Sequence, residues 1–84
     1  MKKVIMFSAT WCGPCQRTKP NFNALKESTT DVECQLVDVD DEAHLAEQFN
    51  IHSVPTFVLL KDNTEVARMS GGTTVEKLKE FISQ

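Results

Sequence analysis

No apolar run in the 84-residue sequence approaches the roughly 20 residues of a membrane span. The opening Met1-Lys2-Lys3 is basic, but only Val4 to Phe7 follow as consecutive apolar residues. A secretory signal needs a longer apolar core and a small-residue cleavage site, so the chain is expected to be cytoplasmic, with no membrane partner. There is also no surplus of positive charge: nine Lys and Arg against twelve Asp and Glu leave a net charge of −3. Phosphate backbones are bound by concentrated basic surface. Lys2, Lys3, Arg17 and Lys19 are the nearest approach to one and read as solvated surface, so nucleic acid is not an expected partner. No linker, repeat or low-complexity segment interrupts the chain. Tyrosine is absent and tryptophan occurs once. The length suits one compact domain, residues 1–84, with a thin margin of stability.

What is present alternates between strand and helix signals. Val4 to Phe7 reads as a central strand buried on both faces. A helix is expected from about Pro14 to Lys26, with Cys15, Thr18, Phe22 and Leu25 recurring at helical spacing and a kink at Pro20. Ser28 to Asp31 reads as a loop and Cys34 to Val39 as a second strand. Asp38, Asp40, Asp41 and Glu42 place negative charge where a helix begins, and that helix is expected to run to about Phe49, with Leu45, Ala46 and Phe49 inward. Thr56 to Leu60 is a third strand, turned by Asp62-Asn63-Thr64 into a fourth from Val66 to Met69. Gly71-Gly72 ends it. Thr73-x-x-Glu76 has capping-box spacing for a final helix that buries Val75, Leu78, Phe81 and Ile82.

The chemistry lies in the cysteines, of which there are three. In a reducing compartment they are poor candidates for structural staples. Two of them form Cys12-Gly13-Pro14-Cys15, at the start of the first helix. There Cys12 meets unpaired backbone N–H groups and the positive end of the helix dipole, which favour a thiolate. Cys15 lies about one turn on, close enough for a disulfide. Gly13 and Pro14 stiffen the turn without bulk, and Trp11 offers a flat apolar surface beside the nucleophile. The expected cycle has Cys12 attack a substrate disulfide and Cys15 resolve the mixed disulfide. Two other readings stay open. A structural zinc site would need four ligands, and only Cys34, His44 and His52 remain, without a second paired spacing. The second is an inert pair of core cysteines, against which the strand–CGPC–helix context argues. Cys34, early in a strand, reads as a small buried hydrophobe. His52 reads as a loop histidine near the presumed groove, His44 as an ordinary helix residue.

Phe7-Ser8-Ala9-Thr10-Trp11-Cys12-Gly13-Pro14-Cys15, Lys19-Pro20, Val37-Asp38-Val39-Asp40-Asp41, Val54-Pro55-Thr56-Phe57 and Ser70-Gly71-Gly72 together resemble the thioredoxin family, in order and in spacing. The resemblance implies an α/β thioredoxin-like fold, βαβαββα, with a four-stranded mixed sheet flanked by three helices. The strand and helix that ordinarily precede this point in the family are missing from it. It implies a protein thiol–disulfide oxidoreductase with Cys12 as nucleophile, Cys15 as resolving thiol and Pro55 as the family's cis-proline. Trp11, Gly13, Pro14, Val54, Pro55 and Gly71 would form the substrate groove. The implied partners are disulfide-containing proteins and a thioredoxin reductase, acting on a monomer without cofactor or metal.

The departures also inform. The short chain and Gly71-Gly72 are similar to glutaredoxins, which leaves a carrier recharged by glutathione, serving for instance ribonucleotide reductase, as the alternative. The absence of tyrosine speaks against it. A binding module with incidental cysteines is the reading from another class. Met6 stands where the family usually buries an aspartate, and Leu36 where that aspartate's lysine usually stands. Both members of the pair are then apolar, which avoids a lone buried charge.

Overall fold

The computed structural model describes residues 1–84. Its elements run β1 (Lys2–Ser8), α1 (Gly13–Ser28), β2 (Val32–Asp38), α2 (Ala43–Gln48), β3 (Thr56–Lys61), β4 (Thr64–Ser70) and α3 (Val75–Ile82). This is the expected βαβαββα order. The four strands form one sheet in the order β2-β1-β3-β4. β1 runs parallel to β2 and antiparallel to β3, and β3 runs antiparallel to β4, so the sheet is mixed.

β1 is interior to this sheet, and Val4 through Ser8 are all buried. Alternation along a strand sends its side chains to two cores. Val4 and Met6 join Phe22 and Leu25 of α1, Phe57 and Leu59 of β3, and Leu78, Phe81 and Ile82 of α3. Ile5 and Phe7 join Val37, Val58 and Leu60 on the opposite face, under Leu45 and Phe49. Helices α1 and α3 thus cover one face and α2 the other. Phe22 meets Phe57 at 6.0 Å between ring centroids and Phe7 meets Phe49 at 5.6 Å, separations typical of tilted aromatic pairs.

The buried positions of α1 are Cys15, Thr18, Phe22 and Leu25, the same four that helical spacing selects. α1 continues unbroken through Pro20, so that proline removes one donor without ending the helix. The hairpin turn places Asp62 and Asn63 at φ +51° and +68°, the left-handed pair that a two-residue connection with primed twist requires.

Several local expectations shift. β2 begins at Val32 rather than Cys34. The cap of α3 is Thr74, whose Oγ1 accepts the Lys77 N–H at 3.2 Å. Thr73 instead turns its hydroxyl into the interior, where it has no partner. α2 begins at Ala43, carries no acid in its first turn and buries no residue completely. The acids before it shape the preceding loop instead: the Asp38 carboxylate accepts the N–H groups of Asp40 and Asp41. Met6 and Leu36 are register partners, but Leu36 is 47% exposed. It lies on an edge strand, so the two do not form a buried apolar pair.

Met6 itself is fully buried, with Leu36 and Phe57 beside it in the sheet. An acid there would ionise only with difficulty, raising its folded pKa above the unfolded value. The unfolded chain then releases the proton more readily, so the penalty on folding grows as pH climbs above about 4 and levels off beyond the folded pKa. Met6→Asp is expected to be less stable than the parent at pH 7 by roughly 2–4 kcal/mol and to recover part of that near pH 4. Urea melts of both proteins across this range measure it, and equal stability at pH 7 would refute the burial argument.

Candidate active site

β1 delivers the chain at Ser8 to a short turn that ends where α1 begins. The Cys12 N–H donates to the Ala9 carbonyl at 3.2 Å, and Gln16 Nε2 donates to the same oxygen at 2.9 Å. Cys12 is the N-cap of α1, with extended backbone (φ −93°, ψ 113°). Its Sγ accepts the Cys15 N–H at 3.2 Å, the place that a serine or aspartate oxygen usually takes at a helix start. Sulfur at that point faces the unpaired N–H groups and the positive dipole end, both of which favour a thiolate over a thiol.

Cys12 and Cys15 are joined as a disulfide, with Cα atoms 5.3 Å apart. The two sulfurs differ in access: Cys15 is completely buried, while Cys12 keeps 6% of its surface. Ala9 packs against the pair, with Val39 and Val54 half-buried around it. The Val54 carbonyl lies 3.6 Å from Cys12 Sγ. The Val54–Pro55 peptide bond is cis, and the Pro55 carbonyl accepts the Gly71 N–H at 2.9 Å. Gly71 has φ +94° and open space around it. Its conformation disfavours any side chain, so the backbone there stays approachable.

Trp11 is 70% exposed, yet its ring is tethered: Nε1 donates to Asp40 Oδ2 at 2.9 Å. Beside it opens a cavity of about 170 Å³ lined by Trp11, Val39, Ile51, His52, Ser53 and Val54. Trp11, Cys12, Val54, Pro55 and Gly71 therefore converge on one end of the sheet. Gly13 and Pro14 sit exposed in the first turn of α1, and His52 lies on the cavity wall. Val39 on the cavity wall and Asp40, hydrogen-bonded to the Trp11 ring, belong to the site, although neither is among the residues expected in the groove. Cys34 stands apart, packed against the core under α1 and α3. Burial pushes its thiol pKa up; Lys26 pulls it down and Glu33 adds to the rise. That is the reverse of an activated thiol.

The thioredoxin family model matches residues 1–84. The chain belongs to the thioredoxin family. It is 42% identical over 81 residues to the thioredoxin of Ophiophagus hannah, covering 96% of this chain and 76% of that one. It is 39% identical over 81 residues to thioredoxin H2 of Arabidopsis thaliana, where it spans 96% of its own length but only 60% of the relative's. The crystal structure of Fasciola hepatica thioredoxin superposes with a TM-score of 0.92 at 40% identity, covering 98% of this chain and 78% of that one. Family and geometry agree: the chain is a thiol–disulfide oxidoreductase with its cysteine pair at the start of α1.

The bond from Trp11 to Asp40 is exposed, so its loss should cost less than about 1 kcal/mol of stability. The ring, however, should lose its tether. Because Trp11 is the sole tryptophan, time-resolved fluorescence anisotropy reads it without background. Asp40→Ala is expected to enlarge the fast component of the decay, and an unchanged decay would mean that the cavity wall alone holds the ring.

Proposed function

We propose that the chain reduces disulfides of protein substrates, with Cys12 as nucleophile and Cys15 as resolving thiol. The unequal access of the two sulfurs at the helix start carries this reading. In the first step the Cys12 thiolate attacks one substrate sulfur, the substrate S–S bond breaks, and the other substrate sulfur leaves as a thiolate. In the second, the Cys15 thiolate attacks Cys12 Sγ, the mixed disulfide breaks, and the remaining substrate sulfur leaves. Two electrons pass to the substrate, whose thiolates take up two protons, and the pair ends as the Cys12–Cys15 disulfide. Trp11, Gly13, Pro14, Val54, Pro55 and Gly71 form the docking groove in this reading, with the Val54 carbonyl beside the mixed disulfide. The protein acts as a monomer in a reducing, cytoplasmic setting, where a thioredoxin reductase returns the pair to the dithiol. No helix of the structure is long and apolar enough to cross a membrane.

Trapping separates the two cysteines. Cys15→Ser should accumulate long-lived mixed disulfides through Cys12, and Cys12→Ser few, as counted by mass spectrometry of pull-downs. Equal trapping by the two variants would remove the assignment of roles. Acceleration of insulin reduction by dithiothreitol tests the activity itself, since a binding module with incidental cysteines gives none.

Gly71-Gly72 favours a second reading, a carrier recharged by glutathione, to which the matches with thioredoxins lend less support. A flavin-dependent thioredoxin reductase with NADPH is expected to reduce the Cys12–Cys15 disulfide faster than glutathione with glutathione reductase does. Offering each donor separately in a coupled assay decides it, and faster turnover with glutathione than with a panel of thioredoxin reductases selects the alternative.

A further inference from the structure

The register of β4 against β3 slips between Leu59 and Leu60: Ala67 faces Leu59, Glu65 faces Leu60, and Val66 is the extra residue. Side chains three apart in a regular strand stand on opposite faces. The bulge brings residues 65 and 68 back to one face. Glu65 lies opposite Leu60 and Arg68 opposite Val58, both of the core beneath α2. There Arg68 Nε and Nη2 each donate to a Glu65 carboxylate oxygen at 2.8 Å, a bidentate pair that fixes the plane of the guanidinium. The same group reaches across to the end of α2. Nη2 donates to the Phe49 carbonyl at 2.7 Å and Nη1 to the Asn50 carbonyl at 3.3 Å.

That end needs support. α2 has six residues, no fully buried side chain and no side-chain cap at its start, and so short a helix has little stability of its own. Its last carbonyls lack partners within the helix, and the dipole there favours a cation. Asn50 turns the chain at φ +54°, and the Ile51 N–H folds back to the Ala46 carbonyl at 2.9 Å. The next residues, Ile51, His52, Ser53 and Val54, all line the cavity beside Trp11. Val54 ends the segment with its carbonyl 3.6 Å from Cys12 Sγ.

We propose that Arg68 is a positioning residue for disulfide reduction: it clamps the end of α2 and so sets the 51–54 loop against which a polypeptide substrate docks beside Cys12. The inference rests on the reading of the chain as a reductase of protein disulfides. The hydrogen bonds of Arg68 all go to Glu65, Phe49 and Asn50, so its effect reaches the sulfur only through the loop. A polypeptide that lies on the loop feels the clamp, whereas a small disulfide that needs only Cys12 does not.

The test uses the full chain with Arg68→Met, which keeps an apolar stem, Arg68→Lys, which keeps the charge but not the fork, and Glu65→Gln. Four properties are measured: the KM and kcat for insulin with dithiothreitol, the single-turnover rate of the reduced protein with 5,5′-dithiobis(2-nitrobenzoate), amide hydrogen exchange over residues 49–54, and urea stability. Arg68→Met is expected to raise the insulin KM roughly tenfold, the scale of one lost charge-assisted hydrogen bond, with kcat and the small-disulfide rate within about twofold of the parent. Exchange over 49–54 should quicken. Arg68→Lys should recover part of the change, and Glu65→Gln should shift KM the same way by less, which keeps the test decisive if Arg68→Met folds poorly. An unchanged insulin KM in the folded variants overturns the proposal, as does a small-disulfide rate that falls by the same factor, or exchange that does not move. A parent that fails to reduce insulin overturns the underlying functional reading instead, and hydrogen exchange still decides whether Arg68 holds the loop.

Discussion

The first turn of α1 has backbone N–H groups with no carbonyl to receive them, and the arrangement of the molecule serves to hold that turn still at the end of β1. A helix start is a fixed patch of partial positive charge only if it does not fray or rotate. Phe22 and Leu25 pin α1 to the core shared with β3 and α3. The strand that feeds it is hydrogen-bonded on both sides, to β2 and to β3. Two hydrogen bonds to the Ala9 carbonyl close the turn between them. Cys12 occupies the cap because sulfur placed there is stabilised as an anion, and Cys15 is buried because it is one turn inside.

The opposite wall is made differently. Trp11 is exposed and tied by one bond to Asp40, and the 51–54 segment hangs from a six-residue helix held by Phe49 and Arg68. Sulfur exchange tolerates little error in the approach of the attacking atom, while docking of a polypeptide, as proposed for this wall, tolerates a good deal. A rigid sulfur beside a lightly braced wall meets both requirements. The brace itself comes from the other edge of the sheet, through a bulge that turns one arginine to the side where it is needed.

Most of the frame is readable from the residues because it rests on short-range periodicity. The run Val4 to Phe7 and the spacing of Cys15, Thr18, Phe22 and Leu25 announce a buried strand and a helix face without reference to anything distant. The Cys12–Cys15 spacing does the same for the redox pair. Failures occur where the deciding partner is far along the chain or where neighbours compete. Thr73 and Thr74 are both capable caps, and which one turns outward depends on the packing of α3. The Asp40 carboxylate looks like helix-start charge until the fold brings Trp11 to it across 29 residues. Leu36 reads, from the resemblance, as the apolar partner of Met6 but sits on the sheet's outer strand. Arg68 has no local signal at all, because alternation alone places it opposite Glu65 and only the slip at Val66 reunites them.

The placement of β1 has a consequence for how the molecule is made. Its antiparallel partner comes late: Phe7 pairs with Thr56 and Lys2 with Lys61, and the α3 residues that close its core come later still. Translation delivers β1 well before β3 and α3, with α1, β2 and α2 arriving between them, so the sheet cannot close on the nascent polypeptide until most of the domain has emerged. During that interval Val4 to Phe7 are available to pair with other chains. The same strand that gives the finished protein its rigid centre is, on the ribosome, the segment most in need of shelter.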